Sequence, residues 1–145
     1  MKIHTAHHHY PDGNATDLRM KLAAYWKVQP EQLVIGVGLD EVIAMVNKTL
    51  ISAGDSIVVS VPAFSEYALN GLVEGAEIRE VEADFETGHY DFAALLKAVD
   101  DTTRLVWICN PNNPTGTYET VEDIRNFIAK VPKDTLVIID EAYID

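Results

Sequence analysis

Four short stretches hold most of the side chains that could do chemistry. They are GVGLDE at residues 36–41, VPAFSEY at 61–67, NPNNPTG at 110–116 and DEAY at 140–143. Each follows a run of apolar residues that reads as a buried strand. Their chemistry is complementary. A glycine turn ahead of a helix presents free backbone N–H groups and the positive end of a helix dipole, which suits an anion. Asparagine amides offer donors and an acceptor, and tyrosine adds a phenol. Asp140 closes the strand TLVIID, and a carboxylate buried there needs a donor or cationic partner.

The elements that must position these groups alternate along the chain. Leu18, Leu22 and Tyr25 in DLRMKLAAYW predict a helix capped by Asp17, and QLVIGVG predicts a strand behind it. DEVIAMVNKTLI predicts a second helix, with Asp40 and Glu41 in its first turn where the macrodipole favours negative charge. A strand in AGDSIVVSVPAF, a helix in SEYALNGLVEG, a strand in AEIREVEAD and a helix in DFAALLKAV follow, then the strand TRLVWICN, the helix TVEDIRNFIAKV and the strand TLVIID. Nearly all-apolar strands between amphipathic helices predict an α/β fold: a mainly parallel sheet covered by helices on both faces, in three layers. In such sheets ligands bind beyond the carboxyl ends of the strands, and all four stretches fall at that edge.

Composition narrows the partners. With 145 residues the prior is one domain, and a formal net charge of −12 without a basic patch argues against nucleic acid or an anionic membrane. One cysteine, Cys109, excludes an internal disulfide and reads as a small core residue, which fits a reducing cytoplasm. The N-terminus lacks the order of a signal peptide, and no apolar run approaches the ~18 residues of a membrane span. His4, His7, His8 and His9 cannot converge readily on one ion and have no downstream cluster to complete a ligand set, so they read as structural or incidental and no metal is expected. The first fourteen residues give no clear element and the last strand is also the last element, so a piece of a longer protein is expected.

An apolar strand ending in Asp-Glu also occurs in P-loop ATPases, but the G-x-x-x-x-G-K-[ST] turn which that chemistry needs is missing. NPNNPTG and DEAY, in that order with a helix between, resemble instead the large domain of fold-type I pyridoxal-phosphate aminotransferases. The resemblance spans Tyr10 to Asp145 and divides the chain into an N-terminal segment, 1–16, with a dimer contact, and a partial cofactor-binding large domain, 17–145, whose C-terminal part is absent. It implies that Asn113 hydrogen-bonds the phenolic oxygen of pyridoxal 5'-phosphate, that Asp140 pairs with the pyridine nitrogen, and that Tyr143 donates to the same phenolic oxygen. It further implies that Gly38, Leu39 and Asp40 hold the phosphate by backbone N–H groups, although Leu39 stands where the family commonly has Ser or Ala. Phe64 is the expected aromatic over the ring face, with Tyr67 second.

HHHYPDGNATDLRMKLA is similar to the YPD segment of histidinol-phosphate aminotransferases, in which the tyrosine, here Tyr10, reaches a partner subunit's cofactor phosphate. This implies a homodimer that exchanges an amino group between histidinol phosphate and 2-oxoglutarate, giving imidazole acetol phosphate and glutamate. Aromatic aminotransferases and threonine-phosphate decarboxylases share the stretch and stay open, as does a non-catalytic phosphate- or nucleotide-binding α/β module. The family's Schiff-base lysine is matched by none of Lys2, Lys21, Lys27, Lys48, Lys97, Lys130 or Lys133, so these 145 residues alone should not turn over substrate.

Overall fold

A computed structural model describes residues 10–144 and divides the chain into two compact units, residues 1–38 and 39–145. His4, His7, His8, His9 and Lys2 lie outside the described residues.

The N-terminal unit carries helix α1, Thr16–Trp26, and a 3-10 turn at Pro30–Gln32. Asp17 does not cap α1; it sits in the first turn, and the residue ahead of the helix, Ala15, adopts a left-handed φ of 46°. Asp12 meets the orphan donors instead, its two oxygens accepting the N–H groups of Asn14 and Thr16, both at 2.9 Å. The turn at 11–14 brings that carboxylate back over the helix start. The bonds from Thr16 hold its pKa below the usual carboxylate range.

The strand expected in QLVIGVG is not formed. Its start is the 3-10 turn, no ladder reaches residues 33–38, and Val34 and Val37 are exposed. A strand requires a neighbour for its backbone groups, and here the Leu33 carbonyl is taken by Arg19 Nη1 at 2.8 Å.

The second unit alternates helices and strands: α2 Leu39–Leu50, β1 Ser56–Val61, α3 Glu66–Val73, β2 Glu77–Glu82, α4 Phe92–Ala98, β3 Thr103–Cys109, α5 Val121–Ile128 and β4 Leu136–Asp140. All pairings are parallel, in the order β2-β1-β3-β4. Side chains alternate faces along each strand. Ile57, Val59, Leu105, Trp107 and Cys109 join Ile43 of α2 and Tyr67 of α3 in one core, while Val58, Val106 and Ile108 join Leu95 of α4 and Phe127 of α5 in the other. The result is the three-layer α/β architecture that the sequence predicts.

Helix α3 lies close on the sheet because Gly71 has no side chain; a Cβ there would stand 2.6 Å from Ile57 Cδ1 and 2.9 Å from Ile78 Cδ1. β2 is an edge strand and marks itself with charge. Its Arg79 meets Glu77 at 3.1 Å and Asp100 at 2.8 Å, and that guanidinium holds the Asp100 carboxyl well below its ordinary range.

The strand order reverses between β1 and β3. From β1 the chain crosses to β2 on one side and then returns to β3 on the other. The β1–β2 ladder runs to Val61 and Glu82, but the β1–β3 ladder stops at Val59 and Trp107. The two central strands therefore part at their carboxyl ends, where a doubly wound sheet opens its ligand crevice.

Candidate functional site

A small cleft of about 40 Å³ lies at that edge, lined by Leu39, Phe64, Tyr67, Cys109, Asn113, Asp140 and Tyr143. It is a floor and walls rather than an enclosed chamber, and every one of these residues belongs to the second unit.

Asp140 forms the floor. It pairs in register with Cys109, so both side chains leave the sheet on the face of α2 and α3. The residue is 7% exposed. Its Oδ1 accepts the Ala142 N–H at 2.9 Å, which starts the turn after β4, and its Oδ2 accepts the Tyr67 hydroxyl. Both donors are neutral. None of the ion pairs among the described residues involves Asp140.

Tyr67 sits in the first turn of α3, 1% exposed, with its ring stacked on Trp107 at a centroid distance of 4.7 Å and an interplanar angle of 10°. Burial, and then the bond to Asp140, push its hydroxyl pKa well above the usual tyrosine value. Tyr67, the second choice for covering a ligand ring, lines the cleft. Its ring is committed to Trp107 and its hydroxyl to Asp140. Phe64, half-buried and three residues earlier, meets Tyr67 edge-on at 5.8 Å and 82° and contributes a wall of the cleft.

The loop after β3 supplies Asn113. It is anchored at both ends: the Asn110 N–H extends the β4 ladder to the Asp140 carbonyl at 2.8 Å, and the Asn110 amide exchanges two bonds with the Glu119 backbone, at 3.1 and 2.7 Å. The buried Glu119 carboxylate in turn accepts the Tyr90 N–H at 2.9 Å and stands 3.0 Å from His89 Nδ1. Between these anchors Asn113 is half-buried, and its amide has no hydrogen bond among the described residues. Tyr143, 59% exposed in the turn after β4, lines the same cleft with its phenol likewise unbonded.

Helix α2 begins at the cleft with Leu39, and Asp40 and Glu41 complete its first turn. The leading N–H groups of a helix have no partner within it. Gly38 adopts a φ of +105°, a conformation open to glycine, and belongs with the fully exposed Tyr10 to the N-terminal unit. Thus the structure gathers Leu39, Phe64, Asn113, Asp140 and Tyr143 around one cleft. Asn110, Asn112, Glu119 and Tyr90, which hold the loop in place, escape the sequence reading. The amide cluster was the available signal, but residue type alone does not say which asparagine is already bonded.

Comparison with known proteins gives one consistent picture. The model of the family "Aminotransferase class I and II" matches residues 2–145. A histidinol-phosphate aminotransferase from Limosilactobacillus fermentum is 54% identical over 94% of this chain and 38% of its own length. Another from Halalkalibacterium halodurans is 47% identical over 99% of the chain and 39% of its length. The crystal structure of histidinol-phosphate aminotransferase from Sinorhizobium meliloti in complex with pyridoxal-5'-phosphate superposes with a TM-score of 0.85 at 28% identity, over 94% of this chain and 37% of that one. The chain spans less than two fifths of the length of these relatives.

Proposed function

The chain belongs to aminotransferase class I and II, and from that membership we propose that the whole protein is a pyridoxal-phosphate-dependent aminotransferase acting on histidinol phosphate and 2-oxoglutarate. The identities of 54% and 47% to histidinol-phosphate aminotransferases support the substrate. The observation that carries the reading is Asp140: a buried carboxylate with two neutral donors and no cation beside it. A protonated ring nitrogen would complete it. Asn113 and Tyr143, each an unbonded polar group on the same cleft, suit the cofactor's phenolic oxygen, so the residues present fit the group.

When bound, the cofactor supplies an electron sink for the substrate's α-carbon. The chain's own residues prepare that chemistry. Asp140 would pair with the ring nitrogen and favour its protonated form. Tyr67 fixes the carboxylate's orientation from below. Asn113 and Tyr143 would hold the cofactor's phenolic oxygen, and Phe64, a wall of the same cleft, would lie against the ring and exclude water. The backbone N–H groups of Leu39 and Asp40, at the start of α2, offer the phosphate a helix N-terminus, with Gly38 completing the turn. Tyr10 serves a partner subunit's phosphate in a cytoplasmic homodimer. None of Lys21, Lys27, Lys48, Lys97, Lys130 or Lys133 lines the cleft, so the covalent anchor is assigned to the rest of the whole protein.

The test is absorbance between about 320 and 430 nm on the purified whole protein with pyridoxal phosphate, before and after borohydride, followed by peptide mapping. A reducible chromophore on a lysine outside residues 1–145, with amino transfer from histidinol phosphate to 2-oxoglutarate, is expected. A folded protein that takes up no cofactor would refute the reading.

A further inference from the structure

Where β1 and β3 part, β3 loses its ladder partner, yet its last backbone groups are not left bare. Cys109 turns its N–H and C=O toward the departed β1, since the next N–H, of Asn110, bonds to β4. A single side chain fills the gap. The hydroxyl of Tyr90, just ahead of α4, accepts the Cys109 N–H at 3.1 Å and lies 2.8 Å from the Cys109 carbonyl. The same oxygen stands 3.1 Å from Asn112 Oδ1, so its one proton is shared between two acceptors.

Asn112 carries the connection onward. Its Nδ2 donates to the Pro62 carbonyl at 3.0 Å and to Thr115 Oγ1 at 2.9 Å, while its backbone N–H and C=O bond to Thr117 and Gly116, both at 2.8 Å. Pro62 lies two residues before Phe64, and Asn112 immediately precedes Asn113. Tyr90 and Asn112 are buried, neither lines the cleft, and every polar atom of the Asn112 side chain is engaged.

Resting on the cofactor reading above, we propose that Tyr90 and Asn112 are positioning residues that set the width of the cofactor cleft. The Tyr90 hydroxyl replaces the missing strand neighbour at the parting of β1 and β3, and Asn112 ties the Phe64 loop to the Asn113 loop. Phe64 meets the ring's face and Asn113 its oxygen, so the brace fixes one relative to the other without touching the ligand. Its loss should appear in cofactor binding as well as in stability, because the two loops then move independently.

The experiment compares Tyr90→Phe, Asn112→Asp and Phe127→Leu in the whole protein. Phe127 lies in the same core as Tyr90 but bonds to neither loop, so its variant reports stability alone. Each apoprotein is titrated with pyridoxal phosphate, the absorbance maximum of the bound form is recorded, and thermal unfolding is measured. The expected result is a dissociation constant raised about tenfold, with a shifted maximum, in Tyr90→Phe and Asn112→Asp, the size a lost buried hydrogen bond allows. Phe127→Leu should lower the melting temperature while its affinity and spectrum stay those of the parent. Should Tyr90→Phe not fold, Asn112→Asp decides. Variants that bind with parental affinity and spectrum overturn the proposal, as does an equal loss of affinity in Phe127→Leu. A parent protein that binds no cofactor refutes the functional reading and the brace with it.

Discussion

Replacing Tyr67 with Phe separates two consequences of its buried hydroxyl. The ring and its stack on Trp107 survive, but Asp140 Oδ2 loses its donor. A hydrogen bond to a charged acceptor contributes about 1.5–3 kcal/mol, so cofactor-free Tyr67→Phe should be less stable than the parent by roughly that amount at pH 8. The difference then depends on pH. Burial and the Asp140 bond raise the folded pKa of Tyr67 above its unfolded value, so the native state keeps a proton that the unfolded state loses. The stability this contributes is complete below the unfolded pKa of about 10 and declines as pH rises beyond it. At pH 11 the parent has lost about 1.4 kcal/mol from this group alone, whereas the phenylalanine variant has no proton to lose. The gap between the two should therefore narrow by about 1.4 kcal/mol from pH 8 to pH 11. Urea unfolding of both proteins at the two pH values measures it directly, and groups common to both cancel in the difference. A gap that stays constant would refute the reasoning.

Other substitutions test other parts of the argument. Gly71→Ala places a methyl group against Ile57 and Ile78; overpacking of about 1–3 kcal/mol, offset by about 1 kcal/mol of helix propensity, should leave a net loss near 1 kcal/mol in urea unfolding. Thr120 Oγ1 accepts the Asp123 N–H at 3.1 Å and caps α5, so Thr120→Ala should cost about 1 kcal/mol in the same measurement. Asp140→Asn preserves the shape of the floor but removes its charge, and steady-state kinetics on the whole protein should show kcat/KM lowered by about a hundredfold or more. Asn113→Ala should raise the cofactor dissociation constant about tenfold by spectroscopic titration while leaving unfolding nearly unchanged, because that amide has no hydrogen-bond partner among the described residues.

Periodicity and turn chemistry made most of the second unit legible. The strands SIVVSV and TRLVWIC are buried on both faces, so their composition announces a parallel sheet, and Asp140 stands out as the charge that ends an apolar run. QLVIGVG behaves differently. It has a strand's composition, but a strand is a relation between two backbones, and among the described residues no strand pairs with this segment, while Leu33 spends its carbonyl on Arg19. The cap of α1 failed for a similar reason. Asp12 and Asp17 are the same residue type, and only the fold of the 11–14 turn decides which reaches the helix start. The partner of Asp140 was hidden as well, because residues 67 and 140 come together only through the packing of α3 on the sheet.

The three asparagines of NPNNPTG show how such ambiguity is resolved physically. All three are short amides in one seven-residue loop, and the sequence ranks none by chemistry alone. Asn110 exchanges its amide with the Glu119 backbone and closes the loop. Asn112 uses its amide on Tyr90, Pro62 and Thr115 and holds the loop to its neighbours. An amide bonded internally has little capacity left for a ligand, since each new contact must displace an old one. Asn113 is the exception, half-buried at a cleft with its amide unspent among the described residues. A loop that must present one free amide at a fixed place needs other groups to satisfy its backbone and bind its ends, and the neighbouring asparagines do that. The number of amides thus reflects the cost of holding one of them still.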